Sequence, residues 1–78
     1  MSNLPQVSGK DTIKALQKIG FTTKSQKGSH VKLIRVKNDQ KQIVIIPLHK
    51  RIKKGTLRNG ILKPINITVE EFIKLLKK

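Results

Sequence analysis

Cysteine is absent from the 78 residues, which removes disulfide scaffolds, thiolate zinc fingers, iron–sulfur clusters and thiol nucleophiles together, and gives no sign of an oxidising compartment. Acids are nearly absent too: 4 Asp+Glu stand against 18 Lys+Arg, for a formal charge of +14 at pH 7. Two-metal hydrolysis needs clustered carboxylates, whereas Asp11 reads as part of a helix cap, Asp39 as a turn residue, and Glu70 and Glu71 as the start of a helix. His30 and His49 lack the further ligands of a zinc site, so no metal site is legible. Aromatics are reduced to Phe21 and Phe72, both at core-like positions, and the stacking platform of an RRM or OB fold is therefore missing. The longest uninterrupted apolar run, Ile43 to Ile46, falls far short of the roughly 18 residues of a membrane span. Met1 to Lys10 holds no apolar stretch that reads as a signal peptide. The expectation is a soluble, cytoplasmic protein.

What is present is positive charge and isoleucine. The basic residues are 15 Lys and 3 Arg, beside 11 Ile, a usage that genome composition or a hot habitat also produces. Such an excess destabilises the compact state by self-repulsion and favours a polyanionic partner: nucleic acid, an acidic protein or an anionic membrane surface. Charge alone does not choose among them. A hydrophobic fraction of 36% suffices for one two-layer core. With no repeat, low-complexity tract or Ser/Gly linker, residues 7–78 read as a single domain and 1–6 as a flexible N-terminal tail.

Ser8-Gly9-Lys10-Asp11 sets a capping Ser three residues before an acid, and Ile13, Leu16 and Ile19 follow at helical spacing until Gly20 stops them. A helix over about 10–19 is predicted. Phe21 to Gln26 is rich in β formers, Lys27-Gly28-Ser29 is a turn, and His30 to Val36 is a second strand. Lys37 to Lys41 is another turn, before Gln42 to Ile46, a strand apolar on both faces and closed by Pro47. A basic loop, Leu48 to Lys54, leads to a helical turn opened by Gly55-Thr56 and stopped by Pro64, since proline disfavours the α conformation of the residue before it. Thr68-Val69-Glu70-Glu71 is a capping box, and Val69, Phe72, Ile73 and Leu76 stripe the last helix. The fold class expected is α+β, an α-β-β-β-α two-layer sandwich with a three-stranded antiparallel sheet and both helices on one face. Double-stranded-RNA-binding domains share that plan.

One segment carries chemistry: Lys27-Gly28-Ser29-His30-Val31-Lys32. A turn glycine lets the backbone approach a ligand, a hydroxyl and a free N–H can hold phosphate oxygens, and an imidazole between two lysines can move a proton. Spacing alone equally describes a tight hairpin whose first strand residue happens to be His.

The chain as a whole resembles the HicA family of mRNA interferase toxins from about Val7 to Leu76. The resemblance rests on Ser8-Gly9-Lys10, Leu16, Gly20-Phe21, Lys27-Gly28-Ser29-His30, Ile46-Pro47-Leu48-His49, Gly55-Thr56-Leu57, Ile61-Leu62 and Val69-Glu70-Glu71-Phe72, in order and at nearly the family's spacing. The stretch from Gly55 to Thr68 is about a residue longer than usual, with Lys63-Pro64-Ile65-Asn66 replacing the commoner Gln/Ala/Gly connection. The resemblance implies a double-stranded-RNA-binding-like fold and an endoribonuclease that needs neither metal nor cofactor, with His30 catalytic. It also implies two partners, mRNA and a HicB-type antitoxin covering the catalytic face.

A mechanism compatible with these residues is attack of the RNA 2′-hydroxyl on its own phosphate, with His30 as general base or acid. Lys27, Lys32 and the Gly28-Ser29 turn would meet the developing charge. His49 is either a second proton carrier or a cap on the turn after Pro47. Lys10, Lys14 and Lys18, spaced i, i+4, i+8, form a like-charged row that a phosphate backbone would relieve, or else an ordinary solvated face. The same basic surface would also serve a non-catalytic double-stranded RNA or DNA-binding module. A peripheral membrane binder is disfavoured, because the last helix needs its apolar stripe for the core.

Overall fold

The computed structural model describes residues 4–77. Helix α1 spans Gly9–Gln17, strands β1 Thr22–Lys27, β2 His30–Lys37 and β3 Gln40–Pro47 follow, and helix α2 spans Val69–Leu76. Between β3 and α2 lie a wide π-type helix, Thr56–Leu62, and a single 3-10 turn, Lys63–Ile65. The sheet is antiparallel in the order β1-β2-β3, with the helices on one face, and is the α+β two-layer arrangement expected. Among the described residues no helix is long and apolar enough to cross a membrane.

Local chemistry sets both helix starts. Ser8 caps α1 by accepting from the Asp11 N–H at 3.0 Å, and Thr68 and Glu71 form the reciprocal box that opens α2, each bond at 3.1 Å. Both hairpins turn in two residues. Gly28, at φ +59, is the only central residue of its turn with positive φ, the pattern of a type II′ turn; Asn38 and Asp39, at φ 52 and 63, have that of type I′. Asn and Asp tolerate this region, so the second turn is shorter than the predicted 37–41, and Lys37 and Gln40 pair as strand residues.

These turns fix the register and with it the two faces. Val31 and Leu33 of β2 alternate inward with Val44 and Ile46 of β3, and join Leu16, Phe21, Ile52, Leu57, Ile61, Leu62, Ile65 and Phe72 in one buried cluster. Burial of each such side chain contributes about 1.5–3 kcal/mol. β3 is apolar on both faces but only one is covered: Ile43 and Ile45 are 44% and 47% exposed, because both helices lie on the other side. Pro64 does not stop the helical segment either. It occupies the opening of the 3-10 turn, where its missing N–H is no loss, and the segment ends at Asn66 in left-handed conformation. Of the residues assigned to a tail, 1–3 lie outside the described residues, while Leu4 is buried in the core.

Lys18 and Arg35 join the layers. Lys18 Nζ donates to the Leu75 carbonyl at 2.7 Å, near the C-terminus of α2. Arg35 donates to the Ile19 carbonyl at 3.0 Å and to Gln42 Oε1 from Nε at 2.9 Å, and its guanidinium lies 4.6 Å from the centre of the Phe21 ring.

Candidate active site

His30 is the first residue of β2, paired with Lys27 across the turn and with Pro47 on β3. Strand alternation decides which way it points. Val31 and Leu33 face the core, so His30 and Lys32 project from the open face of the sheet. There Ser25, Lys27, His30, Lys32 and Ile45 line a shallow hollow of about 510 Å³. Ser25 reaches this group because a bulge between Thr23 and Ser25 shifts the β1 register to pair Ser25 with Lys32. Ile45 is the β3 partner of Lys32.

The turn itself is held by its carbonyls. Gln26 Nε2 donates to the Gly28 carbonyl at 3.0 Å, and the Leu48 N–H donates to the Ser29 carbonyl at 2.7 Å. The Ser29 hydroxyl and the His30 imidazole have no hydrogen-bond partner among the described residues, and both residues are exposed. A Cβ built on Gly28 would meet nothing within 4 Å, so the space above the turn is open to a ligand. The His30 imidazole therefore faces solvent between two ammonium groups, with no carboxylate lining its hollow.

The remaining candidates fall into two other places. His49 lies in a separate hollow with Ser8, Lys10, Leu48 and Lys50. Lys14 and Lys18 line a groove between α1 and α2 with Val7, Asp11, Ala15, Leu75 and Leu76. Thus Lys27 and Lys32 are brought to His30, Lys10 to His49, and Lys14 and Lys18 to neither. Among the described residues no three His, Asp or Glu side chains cluster as metal ligands would.

Residues 9–67 match the family described as "HicA toxin of bacterial toxin-antitoxin". The chain belongs to the HicA toxin family. It is accordingly a toxin of a toxin–antitoxin system, and an antitoxin is its implied partner. No curated protein and no solved structure matches it. The matched stretch contains both histidines and ends before α2. Three features of this HicA toxin go beyond the sequence expectations: the contributions of Ser25 and Ile45 to the His30 hollow, and the packing of Gly9 against the Pro47 carbonyl. The Ile45 position follows from continuing the two-residue Asn38-Asp39 turn as a ladder, which pairs Ile45 with Lys32. The other two depend on a bulge and on a contact between distant segments, and carry no local signal.

Proposed function

We propose that this toxin is an endoribonuclease that cuts mRNA and so arrests translation in the cytoplasm, with His30 as the proton carrier. The supporting observation is the exposed, unpartnered His30 imidazole flanked by Lys27 and Lys32 on the open sheet face of a HicA-family chain.

The RNA 2′-hydroxyl attacks the adjacent phosphorus, forming the O2′–P bond while the P–O5′ bond breaks. The products are a 2′,3′-cyclic phosphate and a 5′-hydroxyl. His30 takes the proton from the 2′-hydroxyl, and a solvent water gives a proton to the departing 5′ oxygen. The substrate supplies the nucleophile, so the reaction needs neither a carboxylate cluster nor a metal ion, and it is confined to RNA. Lys27 and Lys32, with the Ser29 hydroxyl and the backbone of the Gly28-Ser29 turn, meet the charge that develops on the phosphorane. One imidazole contributes about 10²–10⁴-fold. A HicB-type antitoxin neutralises the toxin by covering this face.

The test is cleavage of one oligoribonucleotide, and of the same oligonucleotide with a single 2′-deoxy substitution at the scissile position, both in excess EDTA. The expected result is cleavage of the first at an undiminished rate and none of the second, with equal binding of both. Cleavage of the 2′-deoxy substrate, or loss of activity in EDTA, overturns the mechanism.

A further inference from the structure

The turn after β3 carries more positive charge than the chemistry at His30 uses. His49, Lys50, Arg51, Lys53 and Lys54 are all exposed. The backbone bearing them is tied at several points: Leu48 N–H to the Ser29 carbonyl at 2.7 Å, Gly9 N–H to the His49 carbonyl at 2.9 Å, and Ile52 N–H to the Val7 carbonyl at 2.8 Å. Ile52 is 2% exposed and anchors the loop in the core. At Gly9 the contact is so close that a Cβ would stand 2.2 Å from the Pro47 carbonyl oxygen. These side chains are therefore displayed by a fixed loop.

Two of them, His49 and Lys50, line a hollow of about 230 Å³ with Ser8, Lys10 and Leu48. No carboxylate lines it. Asp11 lines the groove between α1 and α2, Asp39 sits in the distal hairpin turn, and Glu70 and Glu71 lie on α2. Ammonium groups gathered without a counter-charge repel each other, and an anion between them removes that cost. With no aromatic side chain in its lining, the hollow offers a base nothing to stack on, while Lys10 and Lys50 offer a phosphate its counter-charge.

Its position relative to His30 names the anion. The backbones behind the two hollows are one hydrogen bond apart, Ser29 to Leu48. His49 is two residues beyond Pro47, the cross-strand partner of His30, so the two histidine backbones lie within about 12 Å, roughly 5 Å across the ladder and at most about 7 Å along the chain, the scale of one to two nucleotide steps. We infer that the Ser8–Lys10–His49–Lys50 hollow is a second phosphate subsite, which holds a phosphodiester neighbouring the scissile one on the same RNA strand. Lys10 and Lys50 supply its charge and His49 a hydrogen bond. The inference rests on the ribonuclease reading of His30 and gives His49 a binding role in place of proton transfer. A phosphate contact of this kind sets the register of the strand without reading its sequence.

The test compares two substrates of the full chain: a single-stranded hexaribonucleotide, and a dinucleoside monophosphate whose only phosphate is the scissile one. In the Lys10→Ala/Lys50→Ala protein, kcat/KM for the hexanucleotide falls about tenfold or more while that for the dinucleotide is unchanged. Hexanucleotide binding, followed by fluorescence anisotropy across a salt series, loses about 0.7 from its log–log slope, the value for one phosphate contact to a single strand. Lys41→Ala/Lys63→Ala, which removes the same charge elsewhere, leaves the contrast between the substrates intact. Equal losses on both substrates, or an unchanged slope, overturn the subsite, as does loss of antitoxin binding with RNA binding unchanged. If the parent protein cuts neither substrate, the ribonuclease reading fails, and the slope of hexanucleotide binding still decides whether the hollow holds phosphate.

Discussion

The two histidines follow Ser29 and Leu48, which share a backbone hydrogen bond, and are positioned by opposite means. His30 gets its direction from register. A two-residue turn sets the pairing of β1 with β2, alternation sends Val31 and Leu33 inward, and the imidazole is left on the open face between Lys27 and Lys32. His49 gets its place from long-range packing, on a loop locked to α1 through Gly9 and to the core through Ile52. The first arrangement tolerates additions above the turn, where nothing lies within 4 Å of Gly28. The second does not. The His30 hollow can therefore admit a reacting phosphate from solvent, while the His49 hollow is fixed enough to hold a strand in register.

Substitution of the two glycines tests this difference most strongly. Gly9→Ala drives a methyl into the Pro47 carbonyl, and neither α1 nor β3 can retreat without losing the Gly9–His49 bond. The expected cost is about 2–3 kcal/mol, a Tm lower by roughly 10–20 °C for a domain of this size. A Tm within about 3 °C of the parent would show that the loop yields, and the contrast would break. Gly28→Ala meets only the penalty of a side chain at φ +59, about 1 kcal/mol or roughly 4–8 °C, and Gly28→Asn recovers part of it. Calorimetric scans of the three proteins check the order Gly9→Ala, Gly28→Ala, Gly28→Asn. A loss at Gly28 equal to that at Gly9 would mean that the turn is packed and not open.

The smallest effect lies away from both hollows and serves as their reference. The Thr68 backbone N–H, then the Thr68 hydroxyl, and more weakly the charges of Lys37 and Lys74 hold the Glu71 carboxyl below its ordinary value of 4.5. A lowered folded-state value means that the charged cap contributes fully above pH 4.5 and loses its contribution as pH falls through the lowered value. Glu71→Gln therefore lowers Tm slightly at pH 7, and the gap from the parent closes as the pH falls from 4.5 through the lowered value. A pH-independent gap would assign the effect to lost packing. Neither hollow contributes a comparable acid-side loss, since no carboxylate lines either one.

How far the site could be read from the sequence follows the same division. Caps, turns and alternation are local, so Ser8, the Thr68–Glu71 box, Gly28-Ser29 and the outward setting of His30 and Lys32 are all legible. The row Lys10, Lys14, Lys18 is equally legible as a helix face but not as a site, because where α2 and the 48–54 loop pack divides it between two depressions. The role of Gly9 depends on a partner about forty residues away. The open face of β3 is hidden for another reason: Gln42 to Ile46 is apolar on both sides, and hydrophobicity alone does not say which side the helices leave bare. Pro64 misleads because its effect depends on whether it falls inside a helix or at the start of a new turn.

If His30 does the chemistry and His49 holds the substrate, one measurement separates the two roles. Single-turnover cleavage of a saturating oligoribonucleotide is followed for the parent, His30→Ala and His49→Ala, with affinity measured in parallel. His30→Ala is expected to slow cleavage of bound RNA by about 10²–10⁴-fold with affinity retained, and His49→Ala to weaken binding and leave the rate of bound RNA unchanged. A His30→Ala protein that cuts as fast as the parent, or a His49→Ala protein that binds normally and no longer cuts, contradicts this division.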